Sequence, residues 1–276
     1  MAEKIWFITG ASRGFGHIWA EAALARGDKV AATARDIASL DSLVAQYGDA
    51  ILPLTLDVTD AAAIDAAITT AHQHFGRLDV VLTNAGYGLI GAFEETSIAE
   101  TRAIFDTNVI GTFSTIKAAL PLLRKQGHGH ILSVSSVGGL VTFPLFSVYQ
   151  ASKFAIEGML QALAQEVAGF GIKVTLIEPG PFKTDFLAAS SLKTMAPMAA
   201  YEPVREQFNK MFTPDMLGDP EATADAILQV VDADEPPLHF ILGPLLPLVK
   251  QIYGMRLADW EKWEGVSSAA HGASPA

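Results

Sequence analysis

Short apolar runs alternate along this chain with longer stretches whose apolar residues recur every three or four positions. Seven of the runs predict strands, over residues 5–9, 29–34, 51–56, 78–83, 130–135, 173–178 and 238–242. The longer stretches predict helices over residues 16–26, 61–75, 100–125, 147–170 and 220–233. Strands that are apolar throughout and are separated by amphipathic helices favour an α/β fold, in which helices cover both faces of a parallel sheet.

Two segments depart from this alternation. Because no internal repeat or long linker separates parts of the chain, we expect a single domain over residues 1–264. Residues 185–217 form an insertion between a strand and a helix, and it is too long for an ordinary loop. Residues 265–276 are small and polar, and we expect them to form a disordered tail.

The composition narrows the classes of partner and compartment. The chain has 276 residues, 50% of them hydrophobic, with 19 basic against 30 acidic residues and a net charge of −11. This acidic balance disfavours nucleic acid and anionic membrane surfaces as partners. Since there is no cysteine and no charged leader before the first apolar run, we expect a cytoplasmic protein. The longest apolar stretch, residues 240–249, is too short to span a bilayer.

Tyr149 and Lys153 stand four positions apart in a predicted helix, so their side chains share one face. Ile156 and Leu160 continue that face and indicate that it is buried. A lysine seldom lies on a buried face without a partner, so the pair is placed for chemistry rather than for packing. Ser136 lies upstream at a strand end, where capping of the backbone would explain it on its own.

A glycine-rich turn follows the first predicted strand and opens the first helix. Gly10, Gly14 and Gly16 have the spacing Gly-x3-Gly-x-Gly, which differs from the commoner Gly-x-Gly-x2-Gly. Glycines there allow a tight turn and let backbone N–H groups approach a pyrophosphate at the helix N-terminus. Glycines often only turn a chain, but the position between strand and helix predicts a nucleotide site.

Together these motifs resemble the short-chain dehydrogenase/reductase family in its compact single-domain form, from about residue 4 to 185. The motifs that carry the resemblance are the glycine turn, Asp57-Val58, Asn84-Ala85-Gly86, Asn108, Ser136, Tyr149, Lys153 and Pro179-Gly180, in that order. Thr83 stands where the family often has a further asparagine, and its hydroxyl group retains hydrogen-bonding capacity. The resemblance implies a Rossmann-type doubly wound sheet of about seven strands, a helical substrate lid and hydride transfer with a nicotinamide cofactor.

The resemblance also implies a role for each site residue. Tyr149 would exchange a proton with the substrate oxygen, Lys153 would hydrogen-bond the nicotinamide ribose, and Ser136 would hold the substrate oxygen. Asn108 would anchor a water molecule that links Lys153 to solvent, although a buried hydrogen bond to the backbone would equally explain it. The charges of Lys153 and oxidised nicotinamide are expected to lower the pKa of Tyr149 from its ordinary value of about 10. The residues expected to bind the cofactor are Gly10, Ser12, Arg13, Gly14, Phe15, Gly16, Arg35, Asp57, Val58, Asn84, Ala85, Gly86, Tyr149, Lys153, Pro179, Gly180, Phe182 and Thr184.

The end of the second predicted strand bears on the choice between NADP(H) and NAD(H). An acid that binds a free ribose 2′-hydroxyl would fall at Ala34 and is absent. Arg35 follows directly and Arg13 lies in the glycine turn, and two guanidinium groups suit a 2′-phosphate, so NADP(H) is favoured. Alternatively, Arg35 is a solvated turn residue and Asp36 caps the next helix or binds the ribose.

The insertion is rich in apolar side chains that suit a bulky hydrophobic ketone or secondary alcohol. These side chains are Phe186, Leu187, Leu192, Met195, Met198, Tyr201, Phe208, Met211, Phe212 and Met216. Five more flank the catalytic motifs and are expected to line the same pocket, namely Leu89, Phe93, Phe143, Leu145 and Phe146. For any one of them, ordinary packing inside a small cap is the competing interpretation.

The leading hypothesis is an enzyme that transfers a hydride between NADP(H) and a bulky hydrophobic ketone or secondary alcohol, with Tyr149 as general acid and base. The alternatives are an NADP(H)-binding sensor without turnover, an NAD(H)-dependent dehydrogenase of the same fold, and a membrane-surface or scaffolding protein that binds lipid or a partner through its amphipathic tail. The resemblance implies a homodimer or homotetramer. Neither His72 with His74 nor His128 with His130 has metal-ligand spacing, so we expect no metal site.

Overall fold

Strands and helices alternate through the described chain, which in the computed structural model comprises residues 3–188, 191–211 and 213–272. The strands are β1 (Ile5–Ile8), β2 (Lys29–Ala34), β3 (Ile51–Thr55), β4 (Val80–Thr83), β5 (Gly88–Ile90), β6 (Gly129–Val134), β7 (Ile172–Pro179), β8 (Leu192–Thr194) and β9 (His239–Leu242). The helices are α1 (Gly14–Ala25), α2 (Asp41–Tyr47), α3 (Ala61–Phe75), α4 (Ile98–Phe105), α5 (Gly111–Gln126), α6 (Ser147–Val167), α7 (Glu202–Met211), α8 (Ala224–Asp232) and α9 (Leu246–Ala270). Short 3-10 turns and the π-helical segment Asp106–Ile110 complete the described elements.

Seven strands form one parallel sheet in the order β3-β2-β1-β4-β6-β7-β9. The chain winds outward from β1 in both directions, so the loops that follow β1 and β4 diverge and leave a crevice at the carboxyl edge of the sheet. All the strands predicted from the apolar runs are present in this sheet, with ends that agree to within two residues. The predicted Rossmann-type doubly wound sheet is therefore confirmed.

Strand β1 shows why helices cover both faces of the sheet. Its side chains are all buried, and successive residues point to opposite faces. Ile5 and Phe7 belong to a core with side chains of α3, α5 and α6, whereas Trp6 and Ile8 belong to a core with side chains of α1 and α8. Full burial of such a side chain stabilises the fold by about 1.5–3 kcal/mol, so each face of the strand requires its own layer of helices.

Three features differ from the sequence-based expectation. A second sheet pairs β5 with β8 and thereby ties the insertion to the segment after β4. The helix predicted over residues 100–125 is interrupted by Asp106–Ile110, where π-helical hydrogen bonding widens the turn. Helix α2 follows β2, and the apolar periodicity does not mark it because it is a short element whose apolar pattern is weak.

The C-terminal helix α9 extends past residue 264, the expected end of the folded domain, and continues to Ala270. Residues 265–270 are thus helical rather than disordered, because they prolong an established helix and include alanines, which favour it. Residues 273–276 of the expected tail lie outside the described residues. Within the described ranges, no helix is both long and apolar enough to cross a bilayer.

Candidate active site

Tyr149 and Lys153 lie one turn apart near the start of α6 and both are buried. Lys153 donates a hydrogen bond from Nζ to the backbone oxygen of Val134 at 2.8 Å. The same nitrogen lies 5.8 Å from the centroid of the Tyr149 ring. The last residue of β6 therefore fixes the ammonium group beside the tyrosine, as the spacing of the two residues predicts.

Ser136 reaches the same point from the loop after β6. Its Oγ accepts a hydrogen bond from the backbone N–H of Gly138 at 3.0 Å and caps a short 3-10 turn. The Ser136 hydroxyl group also hydrogen-bonds the Tyr149 phenol and acts to lower the pKa of that phenol. The capping role and the position beside Tyr149 thus coexist in one side chain.

Burial is the main cause of the shifted pKa values of Tyr149 and Lys153. It raises the pKa of Tyr149 to about 12, against the smaller opposing effect of Ser136. The expected lowering of the phenol pKa depends on the charge of oxidised nicotinamide as well as on that of Lys153, so it stays a prediction for the enzyme with its cofactor bound. Burial also lowers the pKa of Lys153 to about 8, and the negative charge of Glu157 acts in the opposite direction.

The glycine turn is shaped to accept a ligand against its backbone. Gly10 has φ +69° and Gly14 has φ +56°, in the left-handed region that favours glycine. A Cβ atom on Gly16 would lie 2.3 Å from the oxygen of Gly10 and 2.4 Å from Nδ2 of Asn84. Asn84 stabilises the turn, since its Nδ2 donates hydrogen bonds to the backbone oxygens of Thr9 at 3.1 Å and Gly10 at 2.9 Å.

A single cavity of about 1080 Å³ joins this turn to Tyr149. Of the residues expected to bind the cofactor, those that line the cavity are Gly10, Ser12, Arg13, Gly14, Phe15, Arg35, Asp57, Val58, Asn84, Ala85, Gly86, Tyr149, Lys153, Pro179, Gly180, Phe182 and Thr184. Gly16 is the exception, because it is buried and is not part of the cavity lining. Thr59 and Gln150 also line the cavity and are missed by the sequence analysis, because no motif marks them.

Asn108 is not part of the cavity lining, and its side-chain amide hydrogen-bonds other residues of the chain. Its Nδ2 donates to the backbone oxygen of Tyr87 at 3.0 Å and to Oγ of Ser152 at 3.1 Å. Its Oδ1 accepts from the backbone N–H of Tyr87 at 3.0 Å. Asn108 therefore links the segment after β4 to helix α6 through hydrogen bonds. This position agrees with the alternative interpretation of a buried structural asparagine.

Two arginines line the rim of the cavity, by which we mean its edge beside the glycine turn and the end of β2. Arg13 and Arg35 both line the cavity, and Arg35 is exposed and close enough to Asp57 to act toward lowering its pKa. The main cause of the lowered Asp57 pKa is hydrogen bonding from Thr59. Asp36 accepts a hydrogen bond from the backbone N–H of Ala38 at 3.1 Å, so it caps the following turn.

The insertion closes one side of the cavity with apolar side chains. Those of its residues that line the cavity and are expected to do so are Phe186, Leu192, Phe208, Met211 and Met216, joined by Phe143 and Phe146 from the body. The ring centroids of Phe146 and Phe186 lie 5.9 Å and 5.7 Å from that of Tyr149. Met195, Met198, Tyr201, Leu89 and Leu145 lie off the wall, Phe93 is exposed, and Phe212 and the Leu187 side chain fall outside the described residues.

A polar cluster behind Lys153 is also missed by the sequence analysis. Within the described ranges, Glu157, Glu178 and His239 form the one group of at least three acidic or histidine side chains whose ligand atoms converge within 4.8 Å. The histidine pairs considered from the sequence do not take part. Glu157 continues the face of Lys153 and Glu178 interrupts an apolar strand, and these two signals would have marked the cluster.

Sequence comparison finds relatives over nearly the whole chain. The family model described as short chain dehydrogenase matches residues 4–194. Oxidoreductase BOA17 of Botryotinia fuckeliana is 40% identical over 272 residues, which cover 97% of this chain and 99% of the relative. The 3-ketodihydrosphingosine reductase of Bacteroides thetaiotaomicron is 34% identical over 258 residues, 90% of this chain and 91% of the relative.

Solved structures share the fold. A short-chain dehydrogenase from Streptomyces avermitilis is similar with a TM-score of 0.90 and 38% identity, covering 98% of both chains. ElxO with NADP bound has a TM-score of 0.72 and 28% identity, covering 87% of this chain and 96% of its own. The 3-ketoacyl-(acyl-carrier-protein) reductase of Brucella melitensis complexed with NADH has a TM-score of 0.74 and 25% identity, covering 86% of this chain and 96% of its own. Similar proteins therefore bind either nicotinamide cofactor.

Proposed function

Because this chain belongs to the short-chain dehydrogenase/reductase family of oxidoreductases, we propose that it transfers a hydride between NADP(H) and a bulky hydrophobic ketone or secondary alcohol. The observation that carries the proposal is that Ser136, Tyr149 and Lys153 line the same cavity as the glycine turn. Neither feature alone would indicate hydride transfer, but their union gives a proton donor within one cavity of a dinucleotide site.

Tyr149 is the proton donor in ketone reduction. Its phenol has a pKa raised to about 12 and is protonated at neutral pH, as donation to a carbonyl oxygen requires. The Ser136 hydroxyl group is beside the phenol and donates a second hydrogen bond to the same oxygen, where negative charge develops. In alcohol oxidation the phenolate must form, and the Lys153 ammonium group favours it. A bound nicotinamide cofactor supplies or accepts the hydride.

The rim of the cavity supports NADP(H) rather than NAD(H). The glycine turn and the N-terminus of α1 suit a pyrophosphate, since a side chain at Gly16 would displace the turn. Arg13 and Arg35 bring two guanidinium groups to the rim, and these would bind a 2′-phosphate. Asp36 is already engaged as a cap, which weakens the alternative in which it binds a free ribose hydroxyl group.

The wall of the cavity supports a bulky apolar substrate. Phe146 and Phe186 flank the Tyr149 ring, and Met211 and Met216 add adaptable apolar surface from the insertion. The relative named as a 3-ketodihydrosphingosine reductase acts, by its name, on a ketone of a long-chain base, which is the same chemical class. We therefore propose that the insertion serves as the substrate lid.

The test follows oxidation of NADPH and of NADH spectroscopically across bulky aliphatic, aromatic and steroid-like ketones, with Tyr149→Phe alongside. We expect turnover that prefers NADPH and falls by about 10²–10⁴-fold in Tyr149→Phe, with cofactor binding retained. Tyr253→Phe is the matched control, because Tyr253 lies exposed on α9 and is not part of the cavity lining.

The outcomes separate the competing functions. NADPH binding by both wild type and Tyr149→Phe, with no turnover of any ketone or alcohol, would favour the sensor without turnover. A preference for NADH would overturn the phosphate-binding role of Arg13 and Arg35 while leaving the reductase. Equal activity in wild type and Tyr149→Phe would remove Tyr149 from the chemistry.

We also propose that the protein forms a homo-oligomer through the region of α4 and α5. Ile98, Ile110 and Phe113 are 69%, 52% and 46% exposed in the single chain, and Ile110 and Phe113 are one turn apart. Apolar side chains grouped in this way mark interaction surfaces. Light scattering should give the mass of a dimer or tetramer, and Phe113→Glu should reduce it. A monomer at micromolar concentration would contradict the proposal.

A further inference from the structure

The polar cluster of Glu157, Glu178 and His239 extends from the buried face of α6 to the surface. Nδ1 of His239 lies 2.7 Å from Oε1 of Glu178 and 3.5 Å from Oε2 of Glu157. Glu178 is fully buried on β7 and Glu157 is 3% exposed on α6, whereas the His239 side chain on β9 is 41% exposed. Three elements of the fold thus bring two buried carboxyl groups to one imidazole that meets solvent.

The inner end of the cluster reaches the active site. Glu157 is one turn beyond Lys153 on α6, and its charge acts to raise the pKa of that lysine. Glu157 also meets Ser135, which lines the cavity and whose hydroxyl group acts to lower the carboxyl pKa. A Cβ atom on Gly139 would lie 2.7 Å from Oγ of Ser135 and 3.0 Å from Cγ of Glu157, so glycine leaves room for this contact.

The two carboxyl groups are poorly satisfied for a purely structural role. Neither oxygen of Glu157 and only one oxygen of Glu178 makes a hydrogen bond of normal geometry. Burial raises the pKa of Glu178 to about 8. The pKa of Glu157 is raised to about 7, mainly by burial and in part by the charge of Glu178. Like charges this close resist simultaneous ionisation, so proximity and burial both favour a protonated carboxyl group in this pair.

From this arrangement we propose that His239, Glu178 and Glu157 form a proton relay between solvent and Lys153. The inference rests on the proposed reductase activity. It assigns the three residues a role in positioning Lys153 and in supplying it with protons. This route would act in addition to any proton transfer through the cavity itself. The groups that face the relay are Lys153 and Gln161 on α6 and Ser135 after β6.

The proton balance of a reduction is simple. The phenolic O–H bond of Tyr149 breaks as an O–H bond forms on the substrate, and the phenolate recovers a proton from the Lys153 ammonium group. The lysine amine takes the proton of the Glu157 carboxyl group, and Glu157 is reprotonated by the pair of Glu178 and His239. His239 recovers its proton from water, which its exposed side chain meets directly. No electrons move along this path.

A bound divalent cation is the competing use of the same three side chains. Two ligands of a tetrahedral zinc ion, each about 2.0 Å from the metal, stand roughly 3.3 Å apart. The separation of 2.7 Å between His239 and Glu178 is instead that of a hydrogen bond. A cation would also repel the Lys153 ammonium group one turn away. The geometry therefore favours a proton over a metal ion.

The kinetic test compares Glu157→Gln, Glu178→Gln and His239→Gln with wild type across pH 5–9. Each substitution removes a titrating group and keeps a similar side-chain size. We expect kcat to fall on the order of tenfold, which is less than the loss typical of a group that transfers a proton to substrate directly. KM should change little, and the pH profile of kcat should shift. Glu166→Gln is the matched control, because Glu166 is exposed on the same helix.

Two measurements distinguish a relay from mere structural support. Added imidazole should restore turnover of a second variant, His239→Ala, in proportion to its concentration, since the His239 side chain is exposed and its removal leaves space open to solvent. Infrared spectra should show a protonated carboxyl band that titrates near neutral pH in wild type and is lost in Glu157→Gln or Glu178→Gln. The infrared titration does not depend on turnover, so it remains decisive if the proposed activity fails.

Three results would overturn the relay. One is a wild-type enzyme with normal turnover whose relay variants keep the wild-type pH profile. Another is the absence of any carboxyl band that titrates between pH 5 and 9, whether or not the protein turns over a ketone. The third is stoichiometric zinc that purifies with wild type and is lost in Glu178→Gln, which would assign the cluster to a metal.

Discussion

The carboxylate of Glu95 binds the guanidinium group of Arg205, and this ion pair joins the segment before α4 to helix α7 of the insertion. The Glu95 side chain is fully covered, and its Oε1 also accepts the backbone N–H of Met198 at 2.7 Å. Tyr201 adds a hydrogen bond to Glu94 at 2.5 Å. The insertion is therefore held to the body by polar contacts at its outer side and by apolar contacts at the cavity.

We predict that Glu95→Gln loosens the insertion. The amide keeps the size of the side chain but removes the charge that pairs with Arg205, so the wall formed by α7 should be displaced more often. KM for a bulky ketone should rise on the order of tenfold while kcat changes less, because positioning of the substrate is lost rather than the chemistry. Hydrogen exchange in α7 should become faster.

Glu100→Gln is the control for this prediction. Glu100 pairs with Lys193 at 3.1 Å, but both side chains are substantially exposed, and such pairs contribute little. If Glu95→Gln and Glu100→Gln had the same KM and the same exchange in α7, the pair of Glu95 and Arg205 would not hold the insertion.

We predict that Gly16→Ala abolishes cofactor binding. Its Cβ atom would overlap the oxygen of Gly10 in the turn and the amide of Asn84, which hydrogen-bonds the backbone of that turn. Gly158→Ala is the matched control, because that glycine is exposed in α6 with no atom within 4 Å of an added Cβ. Gly158→Ala should retain NADPH binding and stabilise the protein by about 0.5–1 kcal/mol in chemical denaturation. NADPH affinity of wild-type strength in folded Gly16→Ala would contradict the structural argument.

Elements with a strong apolar period could be predicted from the sequence, and short elements could not. The strands of the main sheet are buried on both faces, so each leaves a continuous apolar run. Strands β5 and β8 span three residues each, and their pairing depends on where the insertion folds back. That depends on tertiary contacts, which no local pattern records.

The same contrast applies to the candidate site. Tyr149 and Lys153 are brought together by one helical turn, which spacing alone reveals. The cluster of Glu157, Glu178 and His239 draws on α6, β7 and β9, so its members meet only through the order of strands in the sheet. Asn108 has the expected place in the sequence, but its side chain contacts Tyr87 and Ser152 because the helix widens at that position.

Arg35 is predicted to select the phosphorylated cofactor. Replacing it with aspartate removes a cation at the rim and adds an acid that suits a free ribose hydroxyl group. KM for NADPH should rise by about 10–100-fold in Arg35→Asp, whereas KM for NADH should stay level or fall. Arg102→Ala is the control, since Arg102 is exposed and is not part of the cavity lining. An unchanged ratio of the two KM values in Arg35→Asp would show that Arg35 does not contact the 2′-phosphate.

His130 should make the protein sensitive to acid. It is buried on β6, where Nε2 lies 2.9 Å from Oγ1 of Thr175, and burial lowers its pKa to about 3. The unfolded chain binds a proton at His130 below pH about 6.5 while the folded chain does not, so stability falls as the pH drops from that value toward about 3. By pH 5 this single group should cost about 2 kcal/mol of the free energy of unfolding.

His130→Gln isolates that contribution, because glutamine keeps a hydrogen-bonding partner for Thr175 but does not titrate. Urea unfolding of both proteins at pH 7.5 and pH 5 gives the difference between them at each pH. We expect wild type to lose about 2 kcal/mol more than His130→Gln over this interval, since the other titrating groups are common to both proteins. Parallel losses in the two proteins would mean that His130 accepts a proton in the folded state, and that its burial against Thr175 does not exclude the charged form.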